Sequence, residues 1–262
     1  MIKLNLLKIF QPLECSELVR IGRENDGGYL VDKESIDQSD FLLSFGIDHD
    51  WSFEQDFLDI NNCPLNSYDG SIGPRFFIKK LRLRLITIFS NPTKEYLKVS
   101  VYWFMLPLRF YRFFNILNFG KVKKHFEMFI GNEDENISFS EVMKNINRKY
   151  KNVFLKIDIE GSEYDFLNEL LEYQDRISGL VIEFHNVNEN LNKIIDFIGS
   201  TSLQIVHLHV NNYGGINKKN LPNVFELTFS KYSYSDVINY KLPHYLDMNN
   251  DKHGSKYTLE FI

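Results

Sequence analysis

A chain of 262 residues is long enough for one large domain with a full core. Its 44% hydrophobic and 25% charged residues fit an ordinary globular protein, and it has no apolar run of the roughly 18 residues that a membrane span needs. The net charge of −5, without a known nucleic-acid motif, argues against nucleic acid as a partner. Cys15 and Cys63 offer neither a disulfide framework nor metal-ligand spacing, and MIKLNLLKIFQPLECSE is no signal peptide, so a cytoplasmic location is expected.

In chain order, LVRIGRENDGGYLVD (18–32) predicts two short strands around a turn at Asn25, Asp26, Gly27 and Gly28, residues that tolerate positive φ. Phe41 to Phe45 form a buried-strand run that ends at Gly46. Ser52 suits the start of a helix carrying Phe53, Glu54, Phe57, Leu58 and Ile60, and CPLNSYDGS then predicts a strand ending at Asp69. Strand, glycine turn, helix, strand, acid is the order of one nucleotide-binding half of a doubly wound sheet.

Residues 75–125 break the alternation. They hold twelve basic residues and one acid, Glu95, a net +11 that leaves −16 for the rest of the chain. Their aromatic-rich runs predict two or three amphipathic helices, with Pro107 interrupting the second run. This insertion would divide one domain into an N-terminal half over 1–74 and a second half over 126–262. Three uses suit it: a cap over the substrate, a homo-oligomer surface, or peripheral contact with anionic lipid.

The alternation resumes with a short strand in HFEMFIG and a helix from Ser138 or Ser140. NVFLKID, ISGLVIEFHN and LQIVHLHVNN are strands, separated by helices in EYDFLNELLEY and NENLNKIIDFIGS. NVFELTFSK follows through a loop alone, which makes it antiparallel, and YTLEFI is a last strand.

Ligands of open parallel sheets bind outside the carboxyl ends of the strands. The sequence places Gly46, Asp48 and Asp50 there, then Asp69, Asp158 with Glu160, Glu183 with His185, and His207, His209, Asn211 and Asn212. Asp69 suits the hydroxyls of a ribose, and Gly46 permits close backbone approach. FGIDHDWSFE is not GxGxxG. Its acids would repel a dinucleotide pyrophosphate and suit the sulfonium and ammonium of S-adenosylmethionine, which disfavours a nicotinamide-dependent oxidoreductase.

Five blocks in order, RIGRENDGGYLV, LLSFGIDHDWSFE, LKIDIEGSEYDFL, VIEFH and HLHVNNYG, resemble the FkbM-like S-adenosylmethionine-dependent methyltransferases. LKIDIEGSE is the most specific, and the resemblance covers about residues 18–74 and 126–230. It implies a class I (Rossmann-like) α/β fold: a seven-stranded, mostly parallel sheet with helices on both faces, here with a helical insertion after the second strand. It also implies O-methylation of sugars in surface (capsular) polysaccharide and natural-product pathways, so the expected acceptor is a sugar or nucleotide-sugar. Carried over by motif, Gly46, Asp48 and Glu54 form the cofactor loop, and Asp69 takes the ribose. Asn25, Asp26 and Gly28 lie near the cofactor pocket, with Ser44 counted beside them, and Asp158, Glu160 and Glu163 fall on the acidic block.

Methyl transfer to an alcohol needs a base, or a metal that lowers the alcohol's pKa. Asp158 ends an apolar strand, where a carboxylate is costly without a partner. The expected catalytic residues are Asp158, His185, His209 and Glu160. Asp158, His185 and His209 are also the candidate ligands of a divalent metal, Mn or Mg. The plainer readings make Glu163 a helix N-terminal acid, the strand histidines satisfied core residues, and the chain a non-catalytic scaffold that binds a membrane or partner through 75–125.

Overall fold

The computed structural model describes residues 2–90, 93–114, 122–133, 135–218, 220–232 and 242–262. The central sheet is built from β4 (Phe41–Phe45), β5 (Leu65–Tyr68), β6 (Lys123–Phe126), β7 (Val153–Ile157), β8 (Ile177–Phe184), β9 (Gln204–Val210) and β10 (Phe225–Ser230). Their spatial order is β6-β5-β4-β7-β8-β10-β9. Neighbours pair in parallel except β10, which is antiparallel to both β8 and β9. This is the class I methyltransferase arrangement. The chain runs outward from β4 to β6 and then returns to β7 on the other side of β4, so the strand order reverses between β4 and β7, where such sheets open a ligand crevice.

Helices cover both faces. The loop into α2 (Ser52–Ile60) and the helices α3 (Pro74–Ser90) and α4 (Lys94–Phe113) bury Trp51, Phe53, Phe57, Phe77, Leu106 and Phe110 on one side. On the other side α5 (Phe139–Asn145), α6 (Leu167–Glu172) and α7 (Val187–Ser200) bury Phe139, Leu170, Ile194 and Phe197. Strand alternation splits β7 between these layers. Val153, Leu155 and Ile157 join the second core, whereas Phe154 joins the first and sets Lys156 on its own face.

Smaller pairs frame the sheet. β2 (Leu18–Gly22) and β3 (Gly28–Asp32) form an antiparallel hairpin, and α1 (Lys33–Asp37) follows, capped by the Asp32 side chain. β1 (Ile2–Leu6) pairs in parallel with β11 (Tyr257–Phe261), tying the two ends of the chain together. The sequence predicts β11 but neither β1 nor α1.

Two expectations are corrected here. The third strand is Lys123–Phe126, earlier than the apolar run HFEMFIG suggests. Pro107 lies inside α4 and does not end it. Burial of Leu106 and Phe110 on either side holds the helix against the core, and tertiary packing overrides the local proline cost.

Candidate active site

A cleft of about 950 Å³ opens at the carboxyl ends of the parallel strands. The turn after β4 enters it first. Gly46 has φ 74, and a Cβ there would overlap the Asp158 carbonyl, so only glycine lets the two strand ends meet this closely. Asp48 and Asp50 follow on the cleft wall, and Asp69 stands opposite at the end of β5. Asp69 Oδ2 accepts the Ile47 and Asp48 N–H groups at 2.9 and 2.8 Å, and its Oδ1 accepts the Ser71 N–H and Oγ–H at 2.8 and 2.6 Å. A carboxylate has about four acceptor positions. All are engaged, so this acid shapes the loop that borders the cleft.

The floor is a charge cluster centred on Lys156. This lysine projects from the middle of β7 with its side chain 7% exposed. Its Nζ donates to the Gly46 carbonyl and lies 3.5 Å from Asp158 Oδ2. Burial opposes its charge, but Asp158, Glu54 and Glu183 outweigh burial and raise its pKa. Tyr29, fully buried on β3, donates to Asp158 Oδ2 at 2.8 Å and lies 3.3 Å from Glu183 Oε2. Burial and the charges of Asp158 and Glu183 push the Tyr29 phenol well up, so it keeps its proton and remains a donor. Glu183 also accepts from Asn211 Nδ2 at 2.7 Å, and burial followed by the Asp158 and Glu226 charges raises its pKa well above the carboxylate range.

Beside this floor, the turn after β7 carries Glu160 at φ 57 and Gly161 at φ 113. Glu163 is fully buried. Its Oε1 accepts the Gly161 N–H at 3.0 Å and lies 2.8 Å from His185 Nδ1, so it fastens the turn and the histidine rather than serving only as a helix-start acid. His185 Nε2 lies 3.5 Å from Glu160 Oε2 and 3.8 Å from Glu183 Oε1. Burial alone would lower the His185 pKa, but the Glu163 bond and the Glu163, Glu183 and Asp158 charges lift it to about 9. At neutral pH His185 is therefore an imidazolium, which can donate but cannot take a proton.

Residues 24–213, well over half of the chain, match the Methyltransferase FkbM domain. The chain belongs to the FkbM methyltransferase family. It is an S-adenosylmethionine-dependent methyltransferase. Among solved structures it is similar to M. capricolum TrmK in complex with S-adenosyl-homocysteine, at 13% identity over 78% of this chain and 68% of that one, with a TM-score of 0.36. It is also similar to an rRNA methylase from Streptococcus thermophilus, at 10% identity over 77% and 92%, with a TM-score of 0.38. A third is the Pyrococcus abyssi tRNA (uracil-54, C5)-methyltransferase in complex with S-adenosyl-L-homocysteine, at 10% identity over 82% and 44%, with a TM-score of 0.35. No curated protein matches the chain.

The exclusion of nucleic acid drawn from net charge is withdrawn, because methylases of tRNA and rRNA stand among the similar structures. The physical weakness of that exclusion is visible in the chain itself: an overall −5 conceals the +11 of residues 75–125.

The cleft of this FkbM-family chain fits the cationic cofactor. Glu54 is 1% exposed and borders the cleft, and its Oε2 is buried without a hydrogen-bond partner. Its Oε1 accepts from Ser44, which lies buried within β4 and outside the cleft lining. Asp26 and Gly27 reach the lining from the hairpin turn, whereas Asn25 and Gly28 do not. Asn25, at φ 65, instead donates to the Asn249 carbonyl at 2.8 Å.

Asp158, Glu160 and His185 come together, with one ligand atom from each inside a span of 4.8 Å. His209 does not join them, which corrects the expected Asp158–His185–His209 set. β10 intervenes between β8 and β9, so His209 sits about two strand spacings, roughly 10 Å, from Glu183. It belongs to a second group that pins the 242–252 loop to β9. There His207 Nε2 and His209 Nδ1 lie 2.9 and 3.3 Å from Asp247 Oδ1, and His209 Nε2 lies 2.9 Å from Asn250 Oδ1.

This second group predicts a pH response. Burial would lower the His209 pKa, but Glu226, Asp247 and Asn250 lift it from 6.5 to about 9. A raised folded-state pKa means that the His209 contribution is complete below pH 6.5 and fades as pH rises through about 9. The melting temperature should fall between pH 6.5 and 9, and fall less in His209→Gln. Parallel thermal melts of the two proteins check this.

Sequence reading misses Tyr29 and Lys156 as site residues. Tyr29 carries no signal, since YLV reads as an ordinary strand. Lys156 does carry one: a lone lysine inside the apolar run VFLKI has to find buried acids.

Proposed function

We propose that this enzyme transfers a methyl group from S-adenosylmethionine to a hydroxyl of a sugar, either nucleotide-activated or part of a surface polysaccharide precursor, in the cytoplasm. The observation that carries the O-methylation reading is the setting of Asp158. Both of its side-chain bonds, from Tyr29 and Lys156, fall on Oδ2. That leaves Oδ1, on a residue that lines the cleft, as the acceptor of a hydroxyl proton. The cofactor supplies an electrophilic methyl group on a cationic sulfur.

The chain supplies the rest. Gly46 and Asp48 border the cofactor side, and Glu54 and its neighbouring acids attract positive charge there. Asp69 takes one ribose hydroxyl when Ser71 Oγ turns away from it. Asp158 orients the alcohol and receives its proton as the C–O bond forms. Tyr29 and Lys156 hold Asp158 in place without losing their own protons. The His185 imidazolium and Asn211 orient the acceptor, and the mixture of Asp, Asn, His and Tyr groups around them suits a polyol. A second reading of alcohol activation would use one divalent ion, Mn or Mg, held by Asp158, Glu160 and a His185 that has given up its Nε2 proton to bind it.

Calorimetric titration with S-adenosylhomocysteine, before and after EDTA and with NAD as control, should give micromolar binding to the first ligand alone. Methyl transfer is then assayed on nucleotide sugars and on RNA. Transfer to RNA and to no sugar would overturn the sugar assignment. Loss of transfer in EDTA, restored by Mn or Mg, would favour the metal reading.

A further inference from the structure

The hairpin of α3 and α4 is built inside out. Its inner side is conventional: Leu106 and Phe110 are buried, and Phe110 meets Trp51 and Phe77 at 5.5 and 5.2 Å between ring centroids. Its outer side is also apolar. Leu97, Val101, Phe104, Leu108 and Tyr111 recur at alternating spacings of four and three, which places them on one face of α4. They are 56, 57, 41, 61 and 38% exposed. On α3, Ile78, Ile86 and Phe89 lie on one face by the same spacing and are 58, 64 and 84% exposed. Solvent-facing helix surfaces are ordinarily polar, and contiguous apolar patches of this kind mark contact sites.

The same surface carries Arg75, Lys79 and Arg82 on α3 and Lys98, Arg109 and Arg112 on α4, all exposed. Among the described residues none of these six has an ion-pair partner. Aliphatic and aromatic side chains flanked by cations are the composition of a helix that lies in the interface of an anionic bilayer.

The four-three stripe on α4 also has the spacing of a coiled-coil seam, so a second copy of the chain is the natural rival. Charge decides against it. Residues 75–125 carry +11, and a symmetric pairing would set this surface against itself. RNA would satisfy the cations but not Leu97, Val101 and Leu108, whose burial requires hydrocarbon.

We propose that the outer face of the α3–α4 hairpin docks on an anionic lipid surface, with apolar side chains entering the interface and the six cations meeting headgroup phosphates. Neither helix crosses the bilayer: among the described residues no helix is long and apolar enough to do so. Docking holds the cleft beside the membrane, because Trp103 of α4 stacks on His49 of the cleft wall at 5.4 Å between centroids.

The test is co-sedimentation of the full chain with vesicles of phosphatidylcholine alone and of phosphatidylcholine mixed with phosphatidylglycerol. Binding is expected to the mixed vesicles only and to weaken with added salt. The variant Ile86→Gln/Leu97→Gln/Leu108→Gln changes exposed positions only and should bind at least about tenfold more weakly. It should also retain S-adenosylhomocysteine binding, so a failure of docking is separable from a failure of the methyltransferase site. Absence of binding to the mixed vesicles overturns the proposal. So does a triple variant that binds them as well as the wild type, or a face that instead forms dimers in sedimentation velocity or binds labelled tRNA with the same dependence on the three side chains.

Discussion

Asp158→Asn is expected to lower the rate of methyl transfer about 10²- to 10⁴-fold, the usual worth of a positioned general base. Its affinity for S-adenosylhomocysteine should change by less than about tenfold, since an amide of the same shape still fills the site. The geometry explains the asymmetry. Asp158 Oδ2 is held by Tyr29 and Lys156, and an asparagine can orient its carbonyl oxygen toward the same two donors. The opposite position then presents an amide N–H to the acceptor. It can hydrogen-bond the alcohol oxygen but cannot receive a proton. Tyr29→Phe should have a smaller effect, because it loosens the carboxylate without removing it. Single-turnover rates and calorimetry on the same preparations separate the two quantities. If Asp158→Asn lost rate and cofactor affinity to the same degree, Asp158 would belong to the cofactor rather than to the acceptor.

β4, β7 and β8 were legible because each is a largely apolar run that ends at or next to a glycine or an acid. FLLSF, VFLKI and ISGLVIEF are buried along their whole length, and such runs need no tertiary information to be recognised. The antiparallel placement of β10 followed from a connection that carries no helix. The site was legible only as a set of strand ends. Periodicity shows that His207 and His209 share a side, but it does not show that β10 lies between them and Glu183. That insertion moves His209 from the expected catalytic group to one that anchors a distant loop through Asp247 and Asn250. Tyr29 shows a further limit. It reaches Asp158 across 129 residues of sequence, and only packing of the hairpin over the sheet brings the two together. For α4 the sequence showed amphipathic character but not which side would face outward, and the exposure of Leu97, Val101 and Leu108 shows that side to be apolar.

Lys156→Met should destabilise the fold by about 3–5 kcal/mol, the cost of removing one partner from a buried ion cluster. Methionine nearly fills the volume of the lysine stem, so a cavity is not the cause. The cause is that Glu54, 1% exposed, and Glu183, 5% exposed, lose the cation that compensates them, and Asp158 loses it in part. The sign of the pH dependence follows from the same groups. Lys156 has a raised pKa, so its contribution is complete below its ordinary value of 10.5 and disappears only at higher pH. Burial raises the pKa of Glu54 and Glu183 above 4.5, and without Lys156 both rise further. Protonation removes the charge that needs compensation. The gap between variant and wild type should therefore be widest near pH 7 to 8 and narrow toward pH 4.5. Urea denaturation at those two pH values measures it, and the double variant Lys156→Met/Glu54→Gln should recover part of the loss at neutral pH. A gap that stayed constant with pH, with no recovery in the double variant, would mean that Lys156 acts through packing and that the charge balance of the cleft floor is held by other groups.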